Sequence, residues 1–249
     1  MLKKIIQTAL GCLGLRLIRV DNEHFHQTDS LILFFLALKG LGFAPKHIID
    51  VGANRGDWTR QAVRFFPHAH YTLIEPQDHL KPCIQDLLKR GHSIKWVNLG
   101  VGDQAGTMAF TLSSRDDSSS FVTTQEEAHR HGHTQIPIMM KTLNEIVTLS
   151  RAGVLDMVKI DAEGFDLKVL SGASDLLGKT EIFLVEAIIF GRKDENTLPA
   201  VMDKMASAGY AIFDITALNR SPKTGLLWLC EIAFIKNDSF LLDGAKTYE

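Results

Sequence analysis

Cysteine is scarce in this chain: Cys12, Cys83 and Cys230 are odd in number and far apart, with no CxxC pair. That excludes a disulfide-stapled scaffold and reads as reduced thiols packed as small core residues. Charge of one sign is also missing. Twenty-seven Lys and Arg against 29 Asp and Glu leave a net charge of −2, too balanced for a nucleic-acid binder that relies on bulk charge. No apolar run is long enough to span a bilayer, and there is no internal repeat. What remains is 249 residues, 45% hydrophobic and 22% charged, enough for one large α/β domain with extensions.

The first 44 residues read as an N-terminal helical extension and residues 45–249 as the main domain. Within the extension, Leu2, Ile5, Ile6, Ala9, Leu10, Leu13 and Leu17 recur at helical spacing beside Lys3, Lys4, Arg16 and Arg19. Such a segment fits a helix docked on the domain, or a basic amphipathic helix touching a membrane through residues 1–20. The expected location is the cytoplasm, or peripherally the inner face of the membrane. Leu31 to Leu38 follows as a core helix, with Thr28, Asp29 and Ser30 as cap candidates and Gly40 and Gly42 as its stop.

From residue 47 onward strands and helices alternate, and two late strands, Tyr210–Ile215 and Leu227–Ile235, close the chain. The pattern predicts a mainly parallel sheet of seven strands with an antiparallel hairpin at one edge, flanked by helices. Asp78 to Arg90 reads as one helix. Residues 113–135 break the pattern: serines, acids and His129, His131 and His133 form a polar, lid-like loop whose evident anchors are Phe121 and Val122. Long polar loops in α/β domains commonly bind ligands. A metal site at the histidines is disfavoured, because no Cys or carboxylate stands at ligand spacing from them.

The chemistry is concentrated at strand ends. Ile48-Ile49-Asp50-Val51-Gly52-Ala53-Asn54-Arg55-Gly56-Asp57 is an apolar run that ends in a carboxylate and turns through glycines into a helix. Leu73-Ile74-Glu75-Pro76 is a second run ending in an acid. In parallel strands joined by a helix, these groups meet at the crevice where open α/β sheets bind nucleosides, with the acid placed to hold ribose hydroxyls. Asn54 stands where the dinucleotide fingerprint needs its second glycine, which disfavours NAD. A nucleoside without a pyrophosphate fits better, and S-adenosylmethionine is such a ligand. Its candidate contacts are Asp50, Gly52, Asn54 and Gly56 at the turn, Glu75 at the ribose, and Gly102 and Asp103 at the adenine. The plainer alternative is a tight βα turn and a surface acid.

Val158-Lys159-Ile160-Asp161-Ala162-Glu163-Gly164-Phe165-Asp166 forms the second cluster. Carboxylates at the tip of an apolar strand are costly unless solvated, paired or used. Asp166 reads as a helix cap, and Lys159 as a counter-charge or an edge residue. Glu186 ends the next strand on the same rim, as an acceptor ligand or as an ion-pair partner of Arg192 or Lys193. Phe121 joins it as a candidate substrate contact.

These residues together resemble the FkbM-type methyltransferases: Ile49-Asp50-Val51-Gly52-Ala53-Asn54-x-Gly56, Glu75-Pro76, Lys159-Ile160-Asp161-Ala162-Glu163-Gly164 and Leu184-Val185-Glu186, in that order. Ile136 to Asn144 and Gly209 to Phe234 are similar to further elements, with Asn144 and Glu231 where the family usually has Asp. The resemblance covers roughly residues 45–236. It implies a Rossmann-like class I fold and S-adenosylmethionine-dependent methylation of an oxygen on a sugar, glycan or secondary metabolite. Asp161 is then the expected base, Glu163 the second choice and a lid histidine the third. Mg²⁺ held by Asp161 and Glu186 is an alternative activator but not the expected one. A non-catalytic cofactor-binding module and an NAD oxidoreductase are the competing readings.

Overall fold

The computed structural model describes residues 25–150, 155–191 and 196–245. The amphipathic segment at residues 2–17, Cys12, Arg192 and Lys193 lie outside the described residues. No helix among the described residues is long and apolar enough to cross a membrane.

The main sheet has seven strands: β1 (His47–Val51), β2 (His70–Ile74), β3 (Ile94–Val97), β7 (Met157–Ile160), β8 (Ile182–Ile188), β9 (Tyr210–Arg220) and β10 (Leu227–Lys236). Their spatial order is β3-β2-β1-β7-β8-β10-β9. The first five run parallel, and β10 pairs antiparallel with both β8 and β9. This is the expected sheet. The chain winds outward from β1 to β3 and then returns to β7, so the direction of winding reverses between β1 and β7. Ligands in open α/β sheets bind at such a reversal.

Strands β1 and β7 show why they sit at the centre. Parallel central strands are covered on both faces and read as continuous apolar runs. Each of these two carries one charged residue, Asp50 and Lys159, and the two are register partners. Opposite charges thus meet inside the sheet, where either alone would be costly.

Helices cover both faces. On one, α5 (Leu143–Ser150), α6 (Asp166–Ser171) and α7 (Leu198–Ser207) bury Ile146, Val169, Leu170 and Val201 against Val158, Ile160 and Val185. On the other, α1 (Phe25–Gly40), α2 (Asp57–Phe65) and the short α8 (Leu241–Gly244) bury Phe34, Phe35, Leu38, Ala62 and Leu241 against Ile48, Leu73 and Leu184. Phe35 touches the rings of Trp58, Phe65 and Phe66. Its truncation to Ala is worth roughly 3–5 kcal/mol. The helix read as part of an N-terminal extension therefore belongs to the domain core.

Three local expectations change. The described residues open with Phe25 already in helix α1, so Thr28, Asp29 and Ser30 lie within it and are not its cap. Asp78 to Arg90 is a 3₁₀ segment, Asp78–Ile84, followed by α3 (Gln85–Lys89), with Pro82 inside the first piece. Proline lacks the N–H an α-helix needs there, and its ring crowds the preceding turn. The region after β3 builds a second, three-stranded sheet of β4 (Gly100–Val101), β6 (Thr134–Lys141) and β5 (Gly106–Leu112), in that order. Within the polar loop, α4 (Gln125–Arg130) is closed by a capping box between Thr124 and Glu127. Phe121 anchors the loop in a cluster with Phe110, Ile138, Met140 and Phe165, whereas Val122 is 52% exposed and anchors nothing.

Candidate active site

Where β1 ends, Gly52 turns with φ +73°, and a Cβ there would lie 1.8 Å from the carbonyl oxygen of Asp161. Glycine is required because the β1 and β7 loops cross in contact at this point. The N–H groups of Gly52 and Ala53 both reach the carbonyl of Ile74, which ties the turn to the end of β2. Asn54 adopts a left-handed φ of 46° and donates its N–H to Glu75 Oε2 at 2.8 Å. Gln77 donates its backbone N–H to Glu75 Oε1 at 2.9 Å and its side-chain amide at 3.2 Å. Burial pushes the Glu75 carboxyl up from its ordinary range, and these donors pull it back.

Glu75 lines a narrow cleft of about 600 Å³ including its mouth, together with Gly52, Asn54, Gln77, Val101, Phe121, Asp161 and Glu163. Three of the roughly four lone-pair positions of the carboxylate are filled by Asn54 and Gln77. The remaining position on Oε2 can accept a hydroxyl, and the Gln77 amide is the most readily exchanged partner.

Asp50 is not brought to this cleft. It is fully buried, accepts a hydrogen bond from Thr59 Oγ1 at 2.6 Å, and lies 3.6 Å from Lys159 Nζ. Burial raises its pKa, and the Lys159 charge and Thr59 oppose that. Gly56 serves packing: a Cβ would meet Ile84 at 2.7 Å. Gly102 and Asp103 border a different cleft with Met140 and Phe165, and Asp103 pairs with Lys168 at 3.1 Å. Leu99, Gly100 and Val101 take the cleft wall expected of them.

The β7–β8 rim carries the titratable groups. Lys159 Nζ donates to Asp161 Oδ2 at 3.0 Å. Burial alone would lower the lysine pKa, but Asp161, Asp50 and Glu231 outweigh it and hold it above the usual range. Glu163 has a left-handed φ of 51°, a strained state for a non-glycine residue that clusters at functional sites. Burial, then the charges of Asp161 and Asp166, push its carboxyl up to about 8. Asp166 does not cap α6. It accepts from the Ala162 N–H at 3.1 Å and from Asn196 Nδ2 at 2.9 Å, and burial raises it to about 7. Burial, then Asp161, hold Glu186 well above the carboxylate range. Opposite Glu186 in register is Glu231, which takes a hydrogen bond from Thr216 Oγ1 and is raised to about 7 by burial.

Glu163 and Phe121 also line a second, wider cleft with Glu186, Asn196, Val122 and Trp228. The two clefts meet at these two shared residues. Sequence reasoning did not single out Gln77, which bonds Glu75 two residues before it, nor Asn196 and Trp228, which reach the site through contacts distant in sequence. The polar loop was the available signal for Asp117 and Ser119, which also line the first cleft. The rings of His131 and His133 lie 6.0 Å apart, and none of the three loop histidines lines either cleft. Among the described residues no three His, Cys, Asp or Glu side chains are grouped to hold a metal ion.

The Methyltransferase FkbM domain model matches residues 50–212, from the Asp50 turn to β9. The chain belongs to the FkbM methyltransferase domain family. No curated protein matches it. Among solved structures, precorrin-6y C5,15-methyltransferase from Geobacter metallireducens GS-15 is similar, with 14% identity, 88% of this chain and 96% of that one covered, and a TM-score of 0.45. The 1,6-didemethyltoxoflavin-N1-methyltransferase of Burkholderia thailandensis, solved with 1,6-didemethyltoxoflavin and S-adenosylhomocysteine, shares 14% identity over 95% of this chain and 88% of its own, with a TM-score of 0.45. NodS N-methyltransferase from Bradyrhizobium japonicum WM9 shares 10% identity over 88% and 100%, with a TM-score of 0.46. Identities this low leave the acceptor chemistry of this FkbM domain to its own residues.

Proposed function

We propose that this FkbM-family protein binds S-adenosylmethionine in the Glu75 cleft and transfers its methyl group to a hydroxyl oxygen of a sugar, glycan or secondary metabolite. The observation that carries this reading is one cleft lined by Glu75, Asp161 and Glu163 together, which shares Glu163 and Phe121 with a second cleft. Glu75 suits ribose; Asp161 and Glu163 suit the reacting hydroxyl. The cofactor supplies an electrophilic methyl group on a sulfonium and leaves as a neutral thioether.

The protein's part is positioning and proton transfer. Holding two reactants in line is worth effective molarities on the order of 10⁵ M or more. The attacking oxygen must shed its proton, and a carboxylate within hydrogen-bond reach takes it. Asp161 suits that role best: it borders the cleft, and the Lys159 ammonium supplies counter-charge at 3.0 Å. Glu163, protonated up to about pH 8, serves as a hydrogen-bond donor or acceptor to the acceptor molecule. Asp50 acts beneath the site, through Lys159.

The test is release of S-adenosylhomocysteine in the presence of hydroxylated acceptors, with and without Mg²⁺, by wild type and Asp161→Asn. Turnover lost in Asp161→Asn with cofactor binding retained supports the role of Asp161. Equal turnover in both sinks it. Turnover with amines alone replaces oxygen as the acceptor atom.

A further inference from the structure

The second cleft differs in character from the first. Its lining mixes apolar side chains, among them Val122, Ile188, Trp228 and Leu229, with polar ones from the loop (Thr123, Thr124, Glu127) and from the rim (Glu163, Glu186, Asn196). Trp228 is the only exposed residue of β10, a strand otherwise buried or half-buried along its length, and its side chain is 43% accessible. Its carbonyl is fixed by the Ile189 N–H at 2.9 Å, so the ring stands on a rigid strand. Val122 lines the same cleft and is also exposed, although it adjoins a buried Phe121. Large exposed apolar side chains lining a cleft mark binding sites.

The polar end is built for hydrogen bonds and not for ion pairing. Asn196 is 1% exposed; its amide NH₂ is spent on Asp166 and on the Glu186 carbonyl, and its Oδ1 has no hydrogen-bond partner. A buried acceptor left in this state calls for a donor. Lys168 is the only cationic side chain among the described lining residues, and it pairs with Asp103. The described lining thus offers an anionic head group one cation, already paired, against three acids, Glu127, Glu163 and Glu186. With its carboxyl raised to about 8 by burial and the neighbouring acids, Glu163 can both donate to and accept from a hydroxyl near neutral pH.

Resting on the methyl-transfer reading, we propose that the second cleft takes a neutral amphiphilic alcohol. Its apolar or aromatic body lies against Trp228 and Val122, and its hydroxyl end reaches Glu163, where the two clefts join. The acceptor is then a hydroxylated head on an apolar scaffold, not a free sugar, a sugar phosphate or an amine.

The experiment uses the full chain saturated with S-adenosylhomocysteine, titrated with octyl and 4-nitrophenyl glycosides, the parent sugars, their phosphates and octylamine. At least one glycoside should bind saturably, about tenfold or more tighter than its parent sugar, and Trp228→Ala should remove that advantage while Trp228→Phe keeps most of it. Both variants should bind S-adenosylhomocysteine as wild type does, which separates loss of the cleft from misfolding. The proposal is overturned if no glycoside saturates, if free sugar, sugar phosphate or octylamine binds as tightly, or if Trp228→Ala leaves glycoside affinity unchanged. Absence of S-adenosylhomocysteine binding by wild type would instead bring down the methyltransferase reading itself.

Discussion

The two halves of the strand-end rim handle their acids differently. At β1 and β2, Asp50 is locked by Thr59 and Lys159, and Glu75 is held by the backbone N–H groups of Asn54 and Gln77. Each acid there has fixed partners, and only Glu75 faces a cleft. At β7 and β8, Asp161, Glu163, Asp166 and Glu186 crowd around one lysine, and three of the four have carboxyls raised by burial and mutual repulsion. The first half is a preformed cradle. The second half stores unfavourable charge, which is what a site that moves protons needs.

Removing the shared lysine should have the largest effect. Lys159→Met strands Asp50 and Asp161, and breaking a buried pair in this way costs roughly 3–5 kcal/mol. Denaturant unfolding at pH 7 should show that loss, and an Asp50→Asn/Lys159→Met double variant should recover part of it. Equal stability of Lys159→Met and wild type would mean the two halves are not coupled through this side chain.

Next comes Glu75→Ala, which should weaken S-adenosylmethionine binding by about 100-fold, the worth of one or two hydrogen bonds to a charged group. Asp50→Asn should change that affinity far less, because its carboxylate does not reach the cleft.

The pH response sharpens the contrast further. Glu163, Asp166 and Glu231 have folded-state pKa values of about 8, 7 and 7, above their ordinary 4.5, 3.8 and 4.5. Between those limits the folded protein binds more protons than the unfolded chain, so stability should fall as pH rises from about 4 to about 8. Glu163→Gln should flatten the upper part of that slope. A stability that rises steadily across the same window would contradict the burial of these groups.

Asp103→Ala should do least. Its pair with Lys168 is half-exposed, worth under about 1 kcal/mol, and cofactor affinity should stay within about threefold of wild type.

The cradle was largely legible in the sequence because it is local. Apolar run, glycine turn, helix and second run ending in Glu75 occupy about thirty consecutive residues, and strand and turn propensities act at that range. Asp50 was misplaced because the partner that helps hold it inside the domain beside Thr59, Lys159, lies more than a hundred residues away in sequence. Trp228, Asn196 and Gln77 carry no motif, and only the folded sheet brings the first two beside Glu163. The alternation of Thr107–Leu112 marks β5 as a strand, but its pairing with β6 across the polar loop is not local and did not show. Pro82 was a readable signal that an apolar helical period masked.

The central claim is that the Glu75 cradle holds S-adenosylmethionine while Asp50 serves from beneath. Calorimetric titration of wild type, Glu75→Ala and Asp50→Asn with S-adenosylmethionine and NAD tests it most directly. The account predicts binding of S-adenosylmethionine but not NAD, weakened about 100-fold in Glu75→Ala and kept in Asp50→Asn. Binding that survives Glu75→Ala and vanishes in Asp50→Asn would contradict it.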